Sequence, residues 1–177
     1  VLGQGQTPTY VFTPTYIEEG HLIQQPAYSK EPMTQRNEEA IKLLEEAGYS
    51  KANPLKFSIL YNTNENHKKV AIAAASMWKA NTKGLIDVKL ENQEWKTYID
   101  SRRAGRYDAA RAGWNADYNQ ATTFGNYFLS NSSNNTAKYA NPEYDKAIAE
   151  SYVATDAEGR AKAYAKAEEI LAKDFGI

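Results

Sequence analysis

Cysteine is absent from this sequence, which excludes both a disulfide scaffold and a zinc site with thiolate ligands. Histidine is scarce: His21 and His67 are the only two, and neither lies in an HExxH motif or another metal-ligand spacing. No apolar run approaches the roughly 20 residues that a membrane-spanning helix needs. Neither sign of charge is in excess, since 21 basic residues face 22 acidic ones and the net charge is −1. We therefore expect no metal site, no membrane insertion and no nucleic-acid partner.

Recognisable catalytic motifs are also missing. The sequence has no GxSxG nucleophile elbow, and Gly3-Gln4-Gly5 follows no strand that would make it a phosphate loop. We therefore predict a protein that is not an enzyme, with no catalytic residue and no cofactor. Carboxylate pairs are as frequent as on any water-exposed helix, so counting them does not separate an enzyme from a binding protein. The richness in tyrosine, with 13 residues, in tryptophan and in asparagine leaves a carbohydrate-binding module as another alternative.

The first part of the chain predicts irregular backbone followed by a helix. Four prolines fall within residues 1–33, and proline fixes φ and removes a hydrogen-bond donor. A helix is predicted from Thr34, as its N-cap, to Gly48. Its apolar residues predict one buried stripe, formed by Ala40, Ile41, Leu43, Leu44 and Ala47.

The next segment alternates strand and helix patterns. Alternating residues predict a strand from Leu55 to Tyr61, then a polar turn to Asn66 and a long helix that ends at Gly84. This helix carries Val70, Ala74, Met77 and Trp78 on one side. A second strand over 86–90, a helix over 94–103 closed by Gly105 and a short strand over 107–112 follow. This order predicts an α/β fold, with a parallel or mixed sheet flanked by helices.

The last third predicts mainly helices. Residues 115–142 are rich in Asn, Ser, Thr and Tyr, with a short helix expected around 122–129. Two longer helices are predicted from Pro142 to Val153 and from Ala157 to Lys173, with Asp156 as the N-cap of the last. A new apolar segment begins just before Ile177, and we expect this sequence to be part of a longer protein.

The predicted ends of the strands indicate where a ligand would bind. Ligands of such sheets bind beyond the carboxyl ends of the strands, here at Tyr61–Asn62 and at Arg111–Trp114. Trp95, Tyr98, Ile99 and Arg102 have the spacing of one helix face. Both features also have a purely structural explanation. The helix face would belong to a buried helix that ends in a solvated arginine, and the strand end would carry a structural Arg111–Asp117 pair beside a packed Trp114.

Three runs resemble a known family: LYNTNENHKKVAIAAASMWK, NQEWKTYIDSRRAG and YDAARAGWNADYNQATTF. They are similar to the periplasmic oligopeptide-binding proteins of Gram-negative bacteria, and the similarity extends over essentially all 177 residues. The resemblance implies one lobe of a two-lobed periplasmic-binding-protein-like fold that binds extended short peptides and delivers them to an inner-membrane ABC permease complex. It also implies a single partial domain over 1–177, most of the second lobe, with the first lobe and the C-terminal strands outside this sequence.

The resemblance also assigns binding roles to particular residues. It implies that Asp117 binds the α-ammonium group of the peptide, and that Arg111, Arg102 and His67 meet the C-terminal carboxylate of peptides of different lengths. Trp95 and Trp114 match walls of the side-chain pockets. Asn115 departs from the family pattern, in which cysteine is common, but its backbone is expected to contact the peptide, and Asn62 is a weaker candidate. Two alternatives stay open: a murein-tripeptide-binding relative, and an enzyme that acts on peptides or cell-wall fragments through Asp117 or Asp108.

Overall fold

The computed structural model describes residues 1–174, so the apolar segment expected near Ile177 lies outside the described residues. The helices are α1 (Met33–Glu46), α2 (Glu65–Asn81), α3 (Trp95–Arg103), α4 (Thr122–Gly125), α5 (Pro142–Val153) and α6 (Ala157–Asp174). The strands are β1 (Leu55–Asn62), β2 (Ile86–Gln93) and β3 (Ala109–Ala110), and three 3-10 turns cover Gly20–Leu22, Ala27–Lys30 and Asn126–Phe128.

The three described strands form one parallel sheet in the order β2-β1-β3. Leu55 pairs with Ile86 and Asn62 with Gln93, so β1 and β2 run in register over their whole length. Helix α2 connects β1 to β2, and α3 connects β2 to β3. The α/β fold and the parallel sheet flanked by helices are therefore confirmed.

Local capping signals explain where several helices begin and end. The side chain of Asn64 accepts hydrogen bonds from the backbone N–H groups of Asn66 and His67, which starts α2 immediately after β1. Gly84 and Gly105 adopt positive φ angles of 88° and 68° just after α2 and α3, a conformation that costs glycine little. Asp156 accepts from the N–H of Gly159 at 2.7 Å, as expected of the N-cap of α6.

The third strand is shorter than the predicted 107–112 and consists of Ala109–Ala110 alone. The carboxylate of Asp108 accepts from both the backbone N–H and the hydroxyl of Ser58, at 2.8 and 3.0 Å. The backbone N–H of Ser58 is therefore bonded to a side chain and does not pair with a main-chain carbonyl of a longer β3. At the other end the N–H of Arg111 still donates to the carbonyl of Leu60 at 2.8 Å, so the main chain stays beside β1 one residue further.

Two predicted apolar helix faces are not buried. In α1, which starts after Pro32 rather than Thr34, no residue is buried and Leu43 is 55% exposed. An amphipathic stripe is buried only where another element covers it, and none of the described residues buries this one. In α2 the buried residue is Ala71, whereas Val70, Met77 and Trp78 are exposed.

The described residues divide into two compact units, one of residues 1–6 and 30–113 and the other of 7–29 and 114–174. The first unit contains the sheet, with a small core of Ile59, Tyr61 and Ala71. The second contains α4, α5 and α6 around a larger aromatic core that includes Phe128, Tyr144 and Tyr164. The expectation of a single partial domain stays a prediction.

One carboxylate joins the N-terminal segment of the second unit to α6. Glu168, which is only 8% exposed, accepts from the backbone N–H groups of Phe12 and Thr13 at 2.9 and 2.7 Å. It also accepts from the Thr13 hydroxyl at 2.6 Å. Three donors on one buried carboxylate satisfy its charge and hold an otherwise irregular segment against the helix.

Candidate functional site

The carboxyl end of β1 holds a partly buried polar pair. Asn62, the last residue of β1, is 8% exposed, and its Oδ1 lies 2.9 Å from Nδ1 of His67 in the first turn of α2. Because this oxygen only accepts, the bond places a proton on Nδ1, and protonation of the ring then occurs at Nε2. Asn62, a weak candidate in the sequence, therefore orients His67.

Arg111 follows β3 at the same edge of the sheet. Burial lowers the pKa of His67 from 6.5, the positive charge of Arg111 lowers that pKa further, and a hydrogen bond with the backbone of Asn62 opposes both. The guanidinium of Arg111 lies over Gly113, where an added Cβ would come 3.2 Å from Nη2. The fold thus brings Arg111 and His67 close enough to interact, although 44 positions separate them in the sequence.

Helix α3 supplies two further candidates around a buried tyrosine. Tyr98 is fully buried, and its hydroxyl donates to the backbone carbonyl of Arg111. The ring of Trp95, which is 60% exposed, lies 5.7 Å from the ring of Tyr98 at an interplanar angle of 34°. The guanidinium carbon of Arg102 lies 5.6 Å from the centre of the same ring. The predicted helix face is confirmed, and its arginine is half-buried against an aromatic ring rather than fully solvated.

Sequence reasoning did not single out Tyr98, which contacts three of the candidate residues. The sequence already placed Tyr98 on one helix face with Trp95 and Arg102. Its spacing, three residues after Trp95 and four before Arg102, indicated that its ring would contact both side chains. That its hydroxyl reaches the end of β3 could not be read from spacing.

The second unit contains the remaining three candidates. Trp114 is half-buried, and its ring packs edge-on against that of Tyr127 at 5.1 Å. Asn115 and Asp117 are exposed. The backbone N–H of Asp117 donates to the hydroxyl of buried Thr123 in α4 at 3.0 Å, which fixes the main chain that carries the carboxylate.

The seven candidates therefore fall into two chemically different groups. The first unit presents cationic side chains, Arg111, Arg102 and His67, beside an exposed tryptophan ring, which suits an anionic group and an apolar side chain. The second presents an exposed carboxylate, Asp117, beside a packed tryptophan, which suits a cation. Arg111 and Asp117 belong to different units, so the structural pair between them stays a prediction.

The second unit also has a groove of about 880 Å³, and none of the seven candidate residues lines it. Its walls come from residues 22–28 and from α6, and Glu168 is part of its lining. The carboxylate of Glu168 already accepts three hydrogen bonds from Phe12 and Thr13. Glu168 is therefore already occupied by bonds within the protein, and the size of the groove alone does not indicate a ligand.

Among residues 1–174, no group of three or more His, Asp or Glu side chains is arranged to hold a metal ion. Within the same range, every helix is too short or too polar to cross a bilayer.

Comparison with known proteins identifies the family. Residues 1–136 match the bacterial extracellular solute-binding proteins, family 5, middle region. This chain belongs to the family 5 bacterial extracellular solute-binding proteins.

Individual relatives lie within that family. The chain is 97% identical over its whole length to the periplasmic oligopeptide-binding protein OppA of Haemophilus influenzae, and 44% identical to the periplasmic murein peptide-binding protein MppA of Escherichia coli. Its fold matches the crystal structure of Haemophilus influenzae OppA in complex with RPPGFSPFR with a TM-score of 0.97 and 96% identity, covering 99% of this chain and 34% of that one. These matches agree with the predicted lobe of a periplasmic-binding-protein-like fold.

The chain spans about one third of the length of these relatives: 33% of Haemophilus influenzae OppA and 32% of Escherichia coli MppA.

Proposed function

We propose that this chain is part of the substrate-binding component of an ABC peptide importer, and that the full-length protein binds short peptides in the periplasm. The observation that carries the proposal is the TM-score of 0.97 to a relative solved in complex with RPPGFSPFR. The names of the relatives support a periplasmic location and a role in binding rather than catalysis. Delivery of the peptide to an inner-membrane permease complex is part of the same proposal.

The two groups of charged candidates suit the constant features of a peptide. Every free peptide has an ammonium group, a carboxylate and a main chain of donors and acceptors, whatever its side chains. A receptor for many sequences therefore gains most by binding the termini and the backbone. Side-chain pockets can then stay wide, because bridging waters adapt to different side chains at modest cost.

Arg111, Arg102 and His67 are proposed to receive the C-terminal carboxylate. The pKa of His67 is lowered, first by burial and then by Arg111, so an incoming carboxylate would relieve the unfavourable protonation. Trp95, with its exposed ring, is proposed to form one wall of a side-chain pocket.

Asp117 is proposed to receive the α-ammonium group. Its side chain is exposed and its main chain is held by Thr123, so the carboxylate projects from a fixed position. Trp114 is proposed as a second pocket wall, and Asn115 as a main-chain contact. An ion pair at about 4 Å is worth roughly 4 kcal/mol at an effective dielectric of 20, before desolvation. Micromolar binding needs about 8 kcal/mol in total, which two charged ends and main-chain hydrogen bonds would supply.

The test is a calorimetric titration of the full-length protein with one lysine-containing tripeptide in four forms: free, N-acetylated, C-amidated and doubly capped. We expect the free peptide to bind most tightly and each cap to weaken binding. Equal affinity for all four forms would refute recognition of the termini. Recovery of the peptide uncleaved after incubation separates the binding protein from an enzyme acting on peptides.

The murein tripeptide is a second candidate ligand, favoured by the 44% identity to Escherichia coli MppA. Competition between the murein tripeptide and the lysine-containing tripeptide distinguishes the two. Displacement of the murein tripeptide only by excess ordinary peptide would favour the murein ligand.

A further inference from the structure

Tyr98 contacts three of the candidate residues of the first unit and is not itself one of the charged groups. It lies in the middle of α3, and its side chain is fully buried. Three candidate residues contact it: Trp95 and Arg102 against the ring, and Arg111 through the hydroxyl.

The hydroxyl of Tyr98 completes the attachment of the Arg111 main chain. The N–H of Arg111 donates to the carbonyl of Leu60 in β1, and its carbonyl accepts from Tyr98. Both hydrogen-bonding groups of this one residue are therefore held, one by the sheet and one by helix α3. The residue lies just beyond β3, where no further strand pairing would fix it.

A fixed main chain restricts where the guanidinium can go. The Arg111 side chain leaves this doubly held backbone and lies against Gly113, where a Cβ would come within 3.2 Å of Nη2. Without the bond from Tyr98, the Arg111 carbonyl would lose this partner, and the Arg111 N–H would still donate to Leu60. The side chain would then sample more orientations, and a ligand carboxylate would have to order it on binding.

We propose that Tyr98 is a positioning residue that sets the affinity of the site for a peptide carboxylate by fixing Arg111. The inference rests on the proposed function, since it assumes that Arg111 receives that carboxylate. Tyr98 is fully buried, so its effect on a ligand would be indirect. Its hydroxyl acts through the main chain of Arg111, and its ring supports Trp95 and Arg102.

The test uses the full-length protein and the Tyr98→Phe variant, which removes the hydroxyl and keeps the ring. A lysine-containing tripeptide, tetrapeptide and pentapeptide are titrated calorimetrically as free acids and as C-terminal amides. Arg111→Gln first identifies the length whose carboxylate depends most on Arg111. For that length we expect Tyr98→Phe to weaken the free acid about fivefold to tenfold, the range that corresponds to one lost hydrogen bond. The amide should change less than about twofold.

A double variant and a rescue separate positioning from a general loss of stability. In the Arg111→Gln background, Tyr98→Phe should have no further effect on the free acid, because the residue that it positions is gone. Placing 4-aminophenylalanine at position 98 keeps a donor on the ring and should restore affinity. If Tyr98→Phe does not fold, 4-fluorophenylalanine at position 98, which nearly fills the space of the hydroxyl but cannot donate, takes its place in the test.

Tyr144→Phe is the matched control. Tyr144 is also buried, and its hydroxyl also donates to a backbone carbonyl, that of Gly125, at 2.7 Å, but in the second unit. It should lower the melting temperature by a similar amount and leave both peptide forms unaffected.

Equal weakening of free acid and amide by Tyr98→Phe, or full additivity with Arg111→Gln, would overturn the inference and leave Tyr98 a structural residue. Failure of the proposed function gives a different result, visible before any substitution. The unmutated protein would then bind free acid and amide equally, and the inference would fall with it.

Discussion

The attachment of the N-terminal segment to α6 leads to a quantitative prediction. Glu168 accepts three hydrogen bonds, from the backbone N–H groups of Phe12 and Thr13 and from the Thr13 hydroxyl, at 2.9, 2.7 and 2.6 Å. Glu168→Gln keeps the shape of the side chain, but it removes the charge and replaces one acceptor oxygen by a donor. The new amide N–H₂ group then faces a backbone N–H group, and the two donors cannot form a hydrogen bond.

The expected cost follows from these three bonds. A hydrogen bond to a charged group contributes about 1.5–3 kcal/mol, and a neutral one about half as much. One bond is lost in the glutamine variant and the other two become neutral, so we expect a loss of about 3–6 kcal/mol in the free energy of unfolding. Glu168→Ala should cost more, because it leaves all three donors without an acceptor inside the protein.

The loss should also reach the candidate site in the second unit. The ring of Phe12 packs against that of Tyr127 at 5.6 Å, and Tyr127 packs against Trp114 at 5.1 Å. A segment that detaches at Phe12 therefore removes the support behind Trp114. Faster exchange of the Phe12 and Thr13 amides should accompany a change in the packing of Trp114.

The assay is urea unfolding of the 177-residue chain followed by circular dichroism, with native-state hydrogen exchange in the full-length protein to locate the change. Glu169→Gln is the control, since Glu169 is the exposed neighbour on the same helix and its replacement should change stability by less than about 0.5 kcal/mol. A loss below about 1 kcal/mol for Glu168→Gln, or unchanged exchange at residues 12 and 13, would refute the reasoning.

Three further predictions concern ligand binding. In the full-length protein, Asp117→Ala should weaken free peptides by about 2–5 kcal/mol, the scale for truncating one partner of a buried charge pair; N-acetylated peptides should be unaffected by it, and equal losses for both forms would remove the role from Asp117. Because burial and Arg111 lower the pKa of His67 and a bound carboxylate would raise it, peptide acids should take up protons on binding, and their affinity should fall as the pH rises from about 5 to about 8. Calorimetry in buffers of different ionisation enthalpy measures this uptake, and an identical uptake in His67→Gln would assign it elsewhere. The 177-residue chain alone should bind peptides very weakly, since it spans about a third of its relatives, and micromolar binding by it would contradict this prediction.

Much of the first unit follows from local signals in the sequence. The alternation from Leu55 to Tyr61 predicted β1, and the positions of Gly84 and Gly105 predicted where α2 and α3 end. Such signals are legible because strand alternation and helix capping depend on residues within a few positions of one another. The carboxyl ends of β1 and β3 were predicted as the place of the site, and the structure brings Arg111 and His67 together there.

Other features depended on partners distant in the sequence. The length of β3 was decided by Asp108, which reaches back 50 residues to Ser58. The stripe on α1 has the right periodicity, yet Leu43 is exposed, because periodicity states which face is apolar and not whether anything covers it.

The sequence by itself determined the family, the α/β class and the residue types that suit the two ends of a peptide. Only the tertiary structure decided which residues are fixed by hydrogen bonds, and which distant residues form those bonds. The hydroxyl of Tyr98 meets the carbonyl of Arg111 across 13 positions, and Glu168 meets Thr13 across 155. The physical reason is that a hydrogen bond needs its atoms within about 3 Å, and a one-dimensional pattern specifies periodicity along each element but not the distance between elements.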